Sequence, residues 1–320
     1  MRKIILIGIT TIIICLTFLG CGSGNRKNKE GLQGEITISG AFALYPLVVK
    51  WAEEFRQENP GVRIDISAGG AGKGMTDALA KVADLGMVSR DIYPAEIEKG
   101  AVAFAVAKDA VVPTISVENP LYNEIMKKGL SREAAQELWI RGNYKNWEDL
   151  LGRTGNTSLH VYTRSDACGA AETWAAWFGA KQEDLGGTAV FGDPGLAMAV
   201  QKDKLGIGYN NLSYAYDEKS RKTNPGIAII PMDVDGNGII EDHELFYDTK
   251  DQVIQAIMDD KYPSPPARDL YLVSNGTPDK PEVIAFIQYI LTRGQEHNVP
   301  SGYISLSQAK LDEGLAKFNQ

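Results

Sequence analysis

From residue 35 onward the apolar positions switch repeatedly between two periods, and each switch marks an element. Residues 35–39 (EITIS) alternate apolar with polar, as a half-buried strand does, and 62–67 and 84–88 read as two further strands. Between them Val48, Trp51, Ala52 and Phe55 recur at helical spacing and predict a helix over 47–57, stopped by Asn59-Pro60-Gly61. A glycine-rich turn at 69–74 leads into a short predicted helix at 75–82. Residues 102–117 are mostly apolar and rich in Val, interrupted by Lys108-Asp109 and Pro113; they predict two short buried strands crossing the middle of the molecule. Helical spacing returns at 131–140, 171–178, 195–202, 251–259 and 281–292, the last opened by Pro281 and followed by Gly294. Strands alternating with helices predict an α/β protein. Trp51, Phe55, Trp147, Trp174 and Trp177 fall at positions expected to pack in a core.

The N-terminus follows a different rule. Arg2 and Lys3 precede an apolar run over 4–19 that ends in Gly20-Cys21, the layout of a secretory signal. The run is marginal for a membrane span, which needs about 20 apolar residues. Phe18-Leu19-Gly20-Cys21 resembles a bacterial lipobox, with Phe18 where Leu is usual. That resemblance implies a signal peptide over 1–20 and lipid on Cys21, with a polar tether over 21–33. The other reading is an uncleaved anchor. Either one places the body outside the cytoplasmic membrane, in a periplasm or on the outer cell surface. Cys15 and Cys21 belong to this segment, so Cys168 is the body's only thiol and no internal disulfide is expected there.

At 320 residues, 44% hydrophobic and 23% charged, the chain has room for one large or two medium cores. Its net charge of -8 argues against nucleic acid or anionic lipid as partners of the body.

Three predicted strands end in small residues that open a helix: Gly40-Ala41-Phe42, the run from Gly69 to Gly74, and the run from Asp166 to Ala170. Helix N-termini present free N–H groups and a positive partial charge, so such turns suit anions. The second is not a Walker A loop, because Gly74 follows Lys73 where Ser or Thr is required. At these residues the chain resembles the phosphate-binding proteins of bacterial phosphate ABC transporters, a branch of the type II periplasmic binding proteins. The resemblance runs through ITISGAFALYPLVVKWAEEF (36–55), SAGGAGKGMTDAL (67–79), ADLGMVSRDI (83–92), GNYKNWEDL (142–150), TRSDACGAAETW (163–174), IGYNNLSYA (207–215) and KYPSPPARDLYLVSNG (261–276). It implies two lobes, each a mixed sheet flanked by helices, joined by two crossing strands with the ligand cleft between them. Lobe 1 is expected over 34–111 plus 224–320 and lobe 2 over 112–223. The implied function is that of a solute receptor, acting as a monomer, that closes like a hinge on phosphate or another small anion and delivers it to an ABC importer permease.

The resemblance places Ala41, Phe42, Ala71, Gly72, Ser89, Arg90, Arg164, Cys168, Gly169 and Ala170 at the ligand. Several of these depart from the family pattern. Ala41, Phe42 and Ala43 stand where a Ser or Thr hydroxyl is usual, Ala71 where Ser is common, and Cys168-Gly169-Ala170 where Ser-Gly-Thr is typical. Each lost neutral hydrogen bond removes roughly 0.5–1.5 kcal/mol. Two readings stay open: phosphate held mainly by backbone N–H groups, or a different anion with an apolar part. Arg164 also has a purely structural reading, as an ion pair with Asp166 or Asp91.

Residues 233–244 match the twelve-residue EF-hand calcium loop at each required place. Asp233, Asp235, Asn237, the Ile239 carbonyl, Glu241 and a bidentate Glu244 supply oxygens; Gly238 makes the turn and Ile240 the apolar contact. Residues 227–231 read as a strand, so no helix is expected to enter the loop. A structural Ca2+ is the expected cofactor, and the alternative is an acidic turn without metal. A calcium-stabilised scaffold or sensor without a transport role is a further alternative. The chemically distinct reading is an enzyme with Cys168 as nucleophile, its thiol activated at a helix N-terminus and His160 as base; no triad spacing supports it, and no catalysis is expected.

Overall fold

The protein is described by a computed structural model covering residues 31–319; the signal, lipobox and Cys21 expectations lie outside the described residues. The first lobe is built from β1 (Gln33–Gly40), α1 (Tyr45–Glu58), β2 (Gly61–Ala68), α2 (Ala71–Leu79), β3 (Leu85–Val88) and α3 (Pro94–Glu98). β1 lies between β2 and β3, parallel to both. α1 covers the sheet with Leu47, Val48, Trp51, Ala52 and Phe55, all buried as their helical spacing predicts. Full burial of each large side chain contributes roughly 1.5–3 kcal/mol. The Trp51 indole, fully buried, still satisfies its N–H, which donates to the Gly294 carbonyl at 2.8 Å.

β4 (Ala101–Ser116) then runs unbroken from one lobe into the other. The two buried strands expected over 102–117 are therefore one. The polar pair Lys108-Asp109 does not interrupt it, because Asp269 and Arg268 stand directly opposite on β11, so each charge faces its opposite. Pro113 sits within the ladder against Tyr209.

Beyond β4 come α4 (Tyr122–Lys128), β5 (Leu130–Ser131), α5 (Arg132–Gln136), α6 (Trp147–Leu150), β6 (His160–Arg164), α7 (Gly169–Trp177), β7 (Thr188–Val190), α8 (Gly192–Lys202), β8 (Gly206–Asn211) and α9 (Leu212–Ala215). The helix expected over 131–140 is shorter than its pattern: after α5 the chain widens into a π-helical turn over Glu137–Arg141. In the core, Trp174 stacks on Tyr209 at 5.6 Å and meets Trp139 edge-on at 5.3 Å. The Trp139 and Trp147 indoles donate to the Tyr162 and Leu205 carbonyls.

The remaining elements are β9 (Ile227–Ile229), β10 (Met232–Asp233), α10 (Lys250–Met258), β11 (Ala267–Asn275), α11 (Pro281–Leu291) and α12 (Gln308–Ala316). Here the lobe boundary differs from the expected one. β9 pairs with the far end of β4, β10 with β5, and Ile229, Met232, Phe246, Tyr247, Ile254 and Tyr262 join the second apolar core. The chain returns to the first lobe only with β11, whose Leu270, Leu272 and Val273 join the first core. Residues 227–262 thus belong to lobe 2, and the second crossing lies near Ala267 instead of 224. Among the described residues the main sheet runs β2-β1-β3-β11-β4-β8-β6-β7, with β9 on β4, so β4 and β11 are the strands that join the lobes.

Candidate functional site

The strand-to-helix turns of both lobes meet on one seam. Gly72 N–H, in the first turn of α2, donates to the Ala167 carbonyl of the other lobe at 3.0 Å. Tyr214 O–H donates to the Phe42 carbonyl at 3.2 Å, and Tyr93 O–H to Glu172 at 2.6 Å. Gly169 is pressed so closely against Ser89 that a Cβ there would lie 2.1 Å from the Ser89 carbonyl oxygen, so only glycine fits. Gly74 is fixed by similar crowding: a Cβ would lie 2.5 Å from Met87 O and 2.9 Å from Gly40 Cα, which accounts for glycine after Lys73. Phe42 closes the mouth, edge-on to Phe191 with ring centres 6.1 Å apart and the Arg164 guanidinium 5.8 Å from its own ring centre.

Beneath Phe42 lies a chain of alternating charges. Arg164 is fully enclosed and holds Asp166 through Nε (2.9 Å) and Nη2 (2.6 Å), and Asp193 through Nη1 (2.7 Å). Burial opposes its charge, but Asp193 and Asp166 outweigh that and raise its pKa. Asp166 also accepts from Gly192 N–H at 3.0 Å, and Asn211 bridges Asp193 to Arg268. Arg268 Nε donates to the Ser89 carbonyl at 2.8 Å, while its Nη1 is buried without a partner. Asp109 stands 3.9 Å from Arg268 Nη2 with both oxygens buried and unpartnered. Burial pushes its carboxyl up to about 6, although Arg268 pulls the other way.

The expected ligand residues therefore divide. Ala41, Ala71 and Ala170 have buried side chains in the two cores. Arg164 is the structural ion pair, with Asp193 and not Asp91 as its second carboxylate. Arg90 turns from the loop mouths, pairs with both oxygens of Glu96 and lies 4.1 Å from the Tyr93 ring centre. It lines an interlobe cavity of about 330 Å³ together with Lys108, Glu172, Arg268 and Lys310. Cys168 N–H donates to Gln182 Oε1 at 2.9 Å, and its sulfur accepts from Ala171 N–H at the head of α7. Burial pushes the thiol up to about 12, opposite to the activation expected at a helix N-terminus. His160 binds Asp203 at the other end of β6 and is no partner for it.

The family model described as the PBP superfamily domain matches residues 25–293. The chain belongs to this family. Among relatives of this PBP-superfamily chain, "Phosphate-binding protein PstS" of Bacillus subtilis is 29% identical over 199 residues, 62% of this chain and 63% of that one. "Phosphate-binding protein PstS" of Methanocaldococcus jannaschii is 24% identical over an alignment of 373 residues, 98% of this chain and 94% of that one. A Clostridium perfringens protein assigned as a phosphate ABC transporter substrate-binding protein, solved with bound phosphate, superposes with a TM-score of 0.69 at 22% identity, covering 86% of this chain and 100% of that one. The expected two-lobed type II fold and the resemblance to phosphate-binding proteins are both borne out.

Within this fold, reading the sequence missed Asp193, Asn211 and Arg268. Asp193 was within reach: Phe191-Gly192-Asp193 ends β7 and opens α8, a fourth turn of the kind already recognised. Arg268 carries no local signal, because its role follows from where β11 crosses between the lobes.

Proposed function

We propose that this PBP-superfamily chain is an extracytoplasmic solute-binding protein that holds phosphate or a related oxyanion between its lobes and passes it to an ABC importer. The observation that carries this reading is Arg268, a guanidinium on the crossing strand with one nitrogen unpartnered, bordering the interlobe cavity. Arg164 and Arg90 spend their guanidinium nitrogens on carboxylates of the chain, whereas Arg268 keeps Nη1 free as a charged donor for an anion. Asp109, buried 3.9 Å from Arg268 Nη2, has free oxygens that would accept the proton of a monohydrogen phosphate drawn onto Arg268. A cavity of about 330 Å³ suits a small ligand. The named relatives, themselves phosphate-binding proteins, support the same class of solute.

A second reading, an organic anion with an apolar part, is favoured by Phe42 against Phe191 at the mouth, where a hydroxyl is usual. Thermal unfolding of the full chain in detergent separates the two. Millimolar phosphate is expected to raise the midpoint by mass action. A rise with an alkyl or aryl carboxylate and none with phosphate supports the second reading and overturns the first.

A further inference from the structure

The loop over 233–244 is not part of the seam, and its chemistry is independent of the solute reading. It hangs between β10 and a short 3-10 turn, Asp242–Glu244, instead of between two helices. It is nonetheless tightly held. Asp233 is paired with Ser131 of β5, Ile240 N–H donates to the Lys127 carbonyl at 3.1 Å, and Gly129 abuts the Ile240 side chain. Gly238 N–H donates to Asp233 Oδ2 at 2.9 Å, with Gly238 at φ +84° making the sharp turn.

One carboxylate oxygen in this loop has nothing to bind. Asp233 is 3% exposed, and its Oδ1 is buried with no donor in reach. Glu244, 1% exposed, faces the same loop and accepts from Val234 and Glu241 N–H groups, leaving lone pairs on both oxygens. Ligand atoms of Asp235, His243 and Glu244 lie within 4.8 Å of one another, which one ion at 2.3–2.6 Å spans. Lys128 Nζ donates to the Gly238 carbonyl at 3.3 Å and forms no ion pair with the loop carboxylates. A buried carboxylate with a free oxygen calls for a cation, and a loop whose oxygen donors outnumber the single imidazole of His243 favours a hard one.

We propose that this loop is a structural calcium site, with oxygens from Asp233, Asp235, Asn237, the Ile239 carbonyl, Glu241 and Glu244, and that the ion locks β10 to β5 and so stabilises the second lobe. The test is calorimetric titration of the chelator-stripped full chain in detergent with CaCl2, followed by thermal unfolding. One-to-one binding with a dissociation constant on the order of 0.1–1 mM, and a midpoint that rises with calcium, is expected. Glu244→Gln and Asp235→Ala should each weaken binding at least about tenfold. Asp235 is exposed, so its variant decides the matter if the buried Glu244 variant does not fold. No calcium heat, binding unchanged in Asp235→Ala, or a response to zinc without one to calcium overturns the proposal, the last by assigning the ion to His243.

Discussion

At the scale of single residues, the site is governed by which charges are already spoken for. Arg164 holds two enclosed carboxylates, so Arg164→Gln leaves both without a counter-charge. Breaking such a buried network costs about 3–5 kcal/mol, and urea unfolding should show that loss with or without phosphate. A variant as stable as the parent contradicts the structural role assigned to Arg164. Lys250 gives a pH signature. Burial lowers its pKa to about 8, although Asp109 raises it in part. Between that value and its ordinary 10.5 the unfolded chain binds the extra proton, so this group's contribution to stability rises with pH across that window. The full effect is roughly 3 kcal/mol. Replacing it, as Lys250→Met, should remove this rise when urea midpoints are compared from pH 8 to 10. Equal slopes for the two chains would show that Lys250 is charged in the folded state.

At the scale of elements, the strand-to-helix turns do two jobs: they bring backbone donors to the seam and they set how closely the lobes approach. Gly169→Ala puts a methyl where Ser89 already stands, with no flexible neighbour to yield. Small-angle scattering should then show a larger radius of gyration than the parent, because the lobes are wedged apart. An unchanged radius would mean that the Ser89–Gly169 contact does not set the closed position. The elements themselves were largely legible. Helical spacing located α1, α10 and α11, and the three strand-to-helix turns were legible in the sequence. What failed did so for long-range reasons. Lys108-Asp109 looked like a break in the strand because its partners, Arg268 and Asp269, lie far along the chain. Residues 227–262 were placed in the wrong lobe because their apolar pattern is the same whichever core they enter. Arg164 was read at the ligand by position, and only the arrival of Asp193 from a different turn commits it to the fold.

At the scale of the whole molecule, two apolar cores are joined by β4 and β11, with charged groups where those strands cross: Asp109 on one strand and Arg268 on the other. If the lobes turn about these strands, as the family resemblance implies, an anion bound at those two residues is held near the axis while the lobes close over it. We hold that this anion is phosphate and that Arg268 Nη1 donates to it. Calorimetric titration of the full chain in detergent with inorganic phosphate, in calcium-containing buffer, tests it most directly. The expected result is saturable one-to-one binding that Arg268→Lys, keeping the charge and losing the guanidinium Nη1, weakens at least about tenfold. No heat from a chain whose fold is intact, or binding untouched by Arg268→Lys, contradicts it.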